Sequence, residues 1–169
     1  SVTVNGEIYN YRILREKLLA KGYKFQSDSD SEVVLHGYKE WNESLFPMLQ
    51  GMFAISIYDE NSESLYLCRD RLGIKPLYFA RVDKSLIFAS EIGAIIQSKL
   101  LSSSFNTSSL FSYLFLGYMP DSICPIEGVE SLSPGSFLKV TKNEIRFKNY
   151  WEMEFSENKQ FENDNELIL

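Results

Sequence analysis

Four short runs of apolar or alternating residues follow one another through the middle of the chain, and they constrain its fold more than any other feature. The segments between them are rich in turn-forming residues, as at 59–62 and 83–84. Runs of roughly 4–8 residues bounded in this way are typical of β-strands in antiparallel sheets. The pattern therefore predicts an antiparallel meander of four strands: Met52–Tyr58, Ser64–Cys68, Leu77–Val82 and Ser85–Ala89.

Two stretches with helical periodicity precede these strands. In the first, from about Tyr9 to Lys21, Ile13, Leu14 and Leu18 fall on one face of a helix. The second helix is predicted to start after Ser29 or Asp30 and to run to Trp41. Within it, Ser29 and Glu32 have the spacing of a capping box, in which the two side chains satisfy each other's backbone N–H groups.

Shorter elements lie at the two ends of the chain. Val2 and Val4 alternate with polar neighbours, which predicts a short strand running into a turn at Asn5-Gly6. The later pattern predicts a helix over Glu91–Gln97 capped by Ser90, a loop over Ser102–Ser109, a buried helical turn or two over Leu110–Leu116, and a hairpin joining Ser136–Val140 to Glu144–Phe147. Helices combined with an antiparallel sheet place the chain in the α+β class.

Composition excludes several kinds of function. The 169 residues suffice for one domain, and 23 acidic against 17 basic residues give a net charge of −6. An acidic chain without a basic block is poorly suited to bind nucleic acid or an anionic membrane, and no apolar stretch is long enough to span a bilayer. With only Cys68 and Cys124, neither a disulfide framework nor a zinc site is indicated, and a reducing cytoplasm is the expected location.

Ordinary catalytic constellations are missing from the sequence. His36 is the only histidine, and its place inside a predicted helix favours a packed or surface side chain over a catalytic one. Cys68 alternates within a strand and is most simply a core residue. Cys124 precedes Pro125 in a loop, with nothing nearby to lower its pKa. No metal site or phosphate-binding loop is recognisable.

The pair Asn5-Gly6 has two interpretations. Asn-Gly is a common turn, and a turn here would lead into the first helix. Alternatively, the pair forms an oxyanion hole, because an Asn side-chain amide and a Gly backbone N–H can both donate to one oxygen atom. Periodicity alone favours the turn.

The residues after this pair extend a pattern that resembles a known family. Residues 5–10 read Asn-Gly-Glu-Ile-Tyr-Asn, and further family stretches follow in the expected order. They are Ser29–Val33, Gly51–Ala54 with Tyr58-Asp59, Arg69–Tyr78, Phe88–Ile92, Ser133–Gly135 and Tyr150-Trp151. Over residues 2 to about 151 the chain resembles the glutaminase domain of the glutamine-hydrolysing asparagine synthetases, which are class II glutamine amidotransferases of the N-terminal-nucleophile hydrolase superfamily.

This resemblance implies a fold and a division of the chain. The expected fold is a four-layer αββα sandwich over residues 1–151, incomplete at its N-terminus. Residues 152–169 would be a linker toward an ATP-dependent synthetase domain. The Arg69–Tyr78 stretch would be a structural turn that packs against that domain; without such a role, its charges would be solvated. No metal or cofactor is implied for the glutaminase domain itself, and ATP and Mg²⁺ would belong to the synthetase domain.

The resemblance also implies roles for individual residues. Asn5 and Gly6 would stabilise the tetrahedral intermediate at the glutamine carboxamide as oxyanion-hole donors. Glu7 and Asp30 would hold the α-amino group of glutamine through charge-assisted hydrogen bonds. From the pattern alone, Asp30 is equally a helix-capping residue, and the two roles are compatible.

Two expected groups have no match in the chain. The family's nucleophile is a Cys at the mature N-terminus, whose own α-amino group serves as base, and an Arg grips the carboxylate of the substrate. Both are expected upstream of Ser1. We therefore expect the chain as given to be an inactive piece of an enzyme that hydrolyses glutamine for the ATP-dependent amidation of aspartate.

Other functions remain open from the sequence. The domain could be a non-catalytic glutamine-binding or regulatory module, which would require the parent protein to lack the Cys. The acceptor could instead be another carboxylate, such as a sugar acid in surface-polysaccharide synthesis. The chain could also form a homodimer.

Overall fold

The computed structural model describes residues 1–102, 104–120 and 123–154. Its helices are α1 (Tyr11–Ala20), α2 (Asp30–Trp41), α3 (Ile92–Gln97) and α4 (Thr107–Leu116), with a 3-10 helix over Asn42–Met48. Its strands are β1 (Val2–Ile8), β2 (Gly51–Asp59), β3 (Ser64–Arg69), β4 (Tyr78–Val82), β5 (Ser85–Ala89), β6 (Val129–Ser131), β7 (Ser136–Val140) and β8 (Ile145–Asn149).

The strands form two antiparallel sheets. Sheet I has the order β1-β2-β3-β7-β8, and sheet II has the order β5-β4-β6. The predicted single meander is therefore wrong, although its four strands exist: β2 pairs with β3 and β4 pairs with β5, but β3 and β4 lie in different sheets. The predicted hairpin near the C-terminus is confirmed as β7 and β8.

Three apolar clusters show how the layers are stacked. In the first, Leu14 and Leu18 of α1 and Val33 of α2 are buried with residues of sheet I. The second joins the two sheets, with Leu138 of β7 and Phe79 of β4 both fully buried. The third covers the outer face of sheet II, where α3 buries its Ile95. The order of layers is thus helix, sheet, sheet, helix, and the predicted αββα sandwich is confirmed.

The predicted bounds of α2 are confirmed, but its capping box is wrong. Ser29 Oγ accepts a hydrogen bond from the backbone N–H of Ser31, as an N-cap should. Glu32 does not return to Ser29; its carboxylate accepts from the backbone N–H groups of Gln26 and Ser27. The loop before α2 folds over the carboxylate, so Glu32 satisfies donors outside the helix. In α1, Ile13 is 58% exposed and lies off the buried face on which it was predicted.

The turn predicted at Asn5-Gly6 does not exist, because β1 continues to Ile8 and pairs with β2 throughout. Gly6 lies opposite Phe53 and adopts φ +136°. A Cβ atom at this position would lie 2.0 Å from the carbonyl oxygen of Met52. Only glycine permits this backbone conformation and this close approach of the two strands. The Asn-Gly pair is therefore part of the sheet edge.

Two later helices also differ from expectation. Ser90 does not cap α3, whose N-cap is Glu91. Helix α4 begins at Thr107, inside the stretch predicted as a loop, with the Asn106 side chain accepting from Ser109 N–H. The prediction that 110–116 is buried is wrong: Ser109 is the only buried residue of α4. The uncharged sequence indicated a core position, but no part of the described chain covers this helix.

The predicted linker, 152–169, lies mostly outside the described residues and stays a prediction. Within the part of the chain that the structure describes, no helix combines the length and hydrophobicity needed to cross a membrane.

Candidate active site

The predicted site residues lie along the open edge of sheet I. Asn5, Gly6 and Glu7 are consecutive exposed residues of β1, which has β2 on one side and no described strand on the other. The backbone N–H of Tyr9 donates to Gln50 in the direction of β2, whereas the N–H of Ile8 donates away from the sheet to Asp30. Since backbone groups of a strand alternate between its two sides, the N–H of Gly6 points the same way as that of Ile8, toward the open edge.

Asp30 is brought to this edge by helix α2. It is the first residue of the helix, half-buried, and its Oδ2 accepts the Ile8 N–H at 2.9 Å. A carboxylate at this place is also favourable beside the positive end of the helix dipole. The predicted capping role belongs to Ser29 instead. Asp30 therefore fixes the start of α2 against β1, two residues from Gly6.

Asn5 makes a contact that the sequence did not indicate. Its Nδ2 donates to Ser90 Oγ at 2.8 Å, across the gap between the edge strands β1 and β5. Beside this bond lies a cavity of about 180 Å³ between the two sheets, lined by Thr3, Asn5, Ala54, Ile55, Ser56, Leu77, Phe88, Ala89 and Ser90. Because Nδ2 carries two hydrogens, the amide keeps a second donor while Ser90 holds its orientation.

The role of Ser90 was missed because Ser90 stands 85 positions from Asn5 in the sequence. Its position before a helix suggested a local cap, and local patterns do not show which edges of two sheets meet. The only available signal was the place of Ser90 inside one of the family-like stretches.

Glu7 stands apart from these contacts. It is exposed, and its side chain makes no hydrogen bond or ion pair with the described residues. Its place on β1, next to Gly6, leaves the carboxylate free to meet a cation from solution. The structure thus joins Asn5, Gly6 and Asp30 through the β1 edge, with Glu7 between Gly6 and the residue that Asp30 contacts.

The charges of the turn at 69–71 are not solvated, contrary to the prediction for a turn without a domain contact. Two of its residues are buried inside the chain. Asp70 is fully buried and its carboxylate accepts four backbone N–H groups, from Phe53, Leu72, Ile74 and Lys75. Arg69 is 3% exposed and donates to the carbonyls of Gly73, Lys75 and Leu132 and to the Ser131 hydroxyl. Since β3 is in sheet I and Ser131 is in sheet II, Arg69 ties the two sheets together. This stretch is thus structural.

The two thiols and the histidine are packed side chains. Cys68 is fully buried, and burial raises the pKa of its thiol well above the ordinary value. Burial also raises the pKa of the Cys124 thiol. His36 lies against the rings of Tyr23 and Phe25, 3.4 Å from Glu32. Neither thiol is activated as a nucleophile, and the described residues contain no cluster of three or more potential metal ligands.

Comparison with solved structures agrees with the layer order. The fold is similar to the structure of glutamine phosphoribosylpyrophosphate amidotransferase from Bacillus subtilis complexed with ADP and GMP, with a TM-score of 0.61 and 20% identity over 89% of this chain and 29% of that one. This likeness shows that the chain shares the fold of that amidotransferase.

Comparison of the sequence with known proteins identifies its family. The chain matches the glutamine amidotransferase domain over residues 1–151. It is 34% identical over 155 residues to glutamine-hydrolysing asparagine synthetase 3 of Bacillus subtilis, covering 91% of this chain and 25% of that protein. It is 37% identical to asparagine synthetase 1 of the same organism, over 91% of this chain and 24% of that protein.

The chain belongs to the glutamine amidotransferase domain family. It spans about a quarter of the length of the curated asparagine synthetases that it matches.

Proposed function

We propose that this chain is the glutamine-hydrolysing part of an asparagine synthetase-like enzyme. In this function, glutamine is hydrolysed to glutamate and ammonia, and the ammonia serves the ATP-dependent amidation of aspartate on another part of the polypeptide. The observation that carries the proposal is the β1 edge, where the Asn5 amide is held by Ser90 and the Gly6 N–H points outward. The membership of the family and the named relatives support it.

The proposed chemistry assigns a task to each residue. When a nucleophile attacks the glutamine carboxamide, negative charge develops on its oxygen, and the Asn5 amide and Gly6 N–H donate to that oxygen. Both donors are held before the reaction, Asn5 by Ser90 and Gly6 by its pairing with Phe53, so that little reorganisation accompanies charge formation. Glu7 and Asp30 supply negative charge for the α-ammonium group of glutamine.

Neither thiol of the chain supplies the attacking thiolate in this proposal. Both are buried, and burial raises the pKa of each. The 169-residue chain alone is then expected to release no glutamate. ATP and Mg²⁺ act in the synthetase part, where the acceptor is chosen, and no residue described above takes part in that choice.

Glutamate release by the polypeptide expressed from the native reading frame tests this function. Asn5→Ala should lower kcat about 100-fold to 1,000-fold, the usual effect of losing one oxyanion donor. Asn143→Ala, at an exposed turn residue outside the site, is the matched control and should leave kcat unchanged. Glutamine binding without any glutamate release would overturn the catalytic proposal in favour of a binding module. Release by the 169-residue chain itself would overturn its assignment as inactive.

A further inference from the structure

Helix α4 is an apolar helix that the described chain leaves in water. Phe115 is 88% exposed, Phe111 is 73% exposed and Leu114 is 71% exposed. No charged residue occurs from Leu100 to Pro120. Monomeric proteins rarely expose a contiguous apolar patch of this kind, and such patches mark interaction sites.

The apolar surface extends around most of the helix. At about 100° per residue, the apolar side chains at 110, 111, 113, 114, 115 and 116 cover roughly 260° of its circumference. A surface helix needs an apolar stripe only about 100° wide to pack on its own core. The α4 helix is anchored to the body at its start, where Asn106 bonds to the carbonyls of Cys124 and Pro125. A helix with apolar residues around most of its circumference is normally buried, with other elements packed against several of its sides.

We infer that α4 inserts into an apolar cleft of the region that follows Trp151 in the longer polypeptide. This inference rests on the proposed function, in which the chain is one part of a larger enzyme. The curated relatives are about four times as long as the segment that they share with this chain, which leaves room for such a cleft in the same polypeptide. Charged residues are depleted at the cores of protein interfaces, as they are in this helix.

The size of the helix disfavours a second copy of the chain as the occupant. Ten residues of α-helix are about 15 Å long. Two such helices packed across a two-fold axis would cover one stripe of each and leave the opposite side in water. A stable dimer buries about 800 Å² per partner, more than a helix pair of this length supplies. An anionic membrane is disfavoured because the segment carries no Lys or Arg to meet the lipid headgroups.

Hydrogen exchange of the native-frame polypeptide, compared with the 169-residue chain, tests the inference. The amides of 110–118 should exchange at least 10-fold more slowly in the longer protein. Phe115→Asp in the longer protein should restore fast exchange over these residues. Ile13→Asp should not, since Ile13 is similarly exposed but lies on α1. A native reading frame that ends near Leu169, or equal exchange in the two proteins, would overturn the inference.

Two further outcomes would also contradict it. Protection of 110–118 that rises with the concentration of the 169-residue chain would assign the surface to a second copy. Protection only on vesicles of phosphatidylcholine and phosphatidylglycerol would assign it to a membrane. Glutamate release is measured on the same samples. Protection of 110–118 without glutamate release would refute the proposed function but support the insertion of α4. Glutamate release without protection would support the proposed function but refute the insertion.

Discussion

The side-chain amide of Asn5 donates to the hydroxyl of Ser90 over 2.8 Å, and this bond joins the edge strand of one sheet to the end of the edge strand of the other. The candidate oxyanion donor is therefore positioned from the opposite sheet. Its orientation depends on how the two sheets stack, which Arg69 helps to fix through Ser131 and Leu132.

Loss of the Ser90 hydroxyl should weaken catalysis without weakening binding. In the native-frame polypeptide we expect Ser90→Ala to lower kcat for glutamine by about 2-fold to 10-fold, the worth of one ordinary hydrogen bond, with KM unchanged. Ser90→Thr keeps the hydroxyl and should retain most of the activity. A rise in KM at constant kcat would show that Ser90 acts on substrate binding and that it does not position Asn5.

Gly6→Ala should severely destabilise the fold. The new Cβ would lie 2.0 Å from the carbonyl oxygen of Met52 at a backbone angle that other residues rarely adopt. We expect a loss of about 4 kcal/mol or more in the free energy of unfolding, measured by urea denaturation. Gly22→Ala is the matched control, because Gly22 also has a positive φ but its Cβ would meet nothing within 4 Å. It should lose only about 1–2 kcal/mol, and equal losses in the two variants would contradict the steric explanation.

Asp70→Asn should also destabilise the chain. Each carboxylate oxygen of Asp70 accepts two backbone N–H groups, whereas an asparagine side chain offers one acceptor and turns its own donors toward the remaining N–H groups. Buried hydrogen bonds to a charged group contribute about 1.5–3 kcal/mol each, so we expect a loss of about 3 kcal/mol or more in the free energy of unfolding. Asp83→Asn, at an exposed turn position with a positive φ that asparagine accepts, should change it little. Similar stability of the two variants would contradict the assigned role.

Stability should fall in acid partly because of Glu32. Hydrogen bonds from Ser27 and Gln26, and a smaller contribution from His36, lower the pKa of Glu32 to about 2. A depressed folded-state pKa contributes stability that is present above the ordinary carboxyl pKa and is lost as the pH falls from about 5 to about 2. Glu32→Gln should therefore unfold at lower urea concentration than the wild type at pH 7, and this difference should shrink through that window. Glu16→Gln, at an exposed residue of α1 outside the loop before α2, is the comparison variant. A constant difference for Glu32→Gln would refute the linkage.

Local signals in the sequence were sufficient for much of the secondary structure. The bounds of α2 follow from Ser29 and the apolar run behind it, and the central strands follow from alternation between turn residues. Pairing between sheets could not be predicted, because nothing in the stretch after Arg69 shows that the chain crosses from one sheet to the other. The burial of Asp70 and Arg69 could not be predicted either. The donors to Asp70 and the acceptors of Arg69 are mostly backbone groups, which every residue type possesses.

The candidate site was predictable only in part. Family-like residues pointed to Asn5, Gly6, Glu7 and Asp30, and three of these now lie in a connected arrangement on one edge. Ser90 was out of reach, since its contact with Asn5 depends on the stacking of the sheets. The exposure of α4 was unpredictable because apolar composition indicates burial without showing which part of a protein supplies the cover.

The close approach at Gly6 has a consequence for how this position can evolve. The atom that a Cβ would strike belongs to the main chain of Met52, which every amino acid possesses. No substitution at position 52 can remove that carbonyl, so a suppressor screen starting from Gly6→Ala should return only reversion to glycine or changes that abandon the β1–β2 register. A site residue of this kind is locked by backbone geometry, independently of the chemistry it performs.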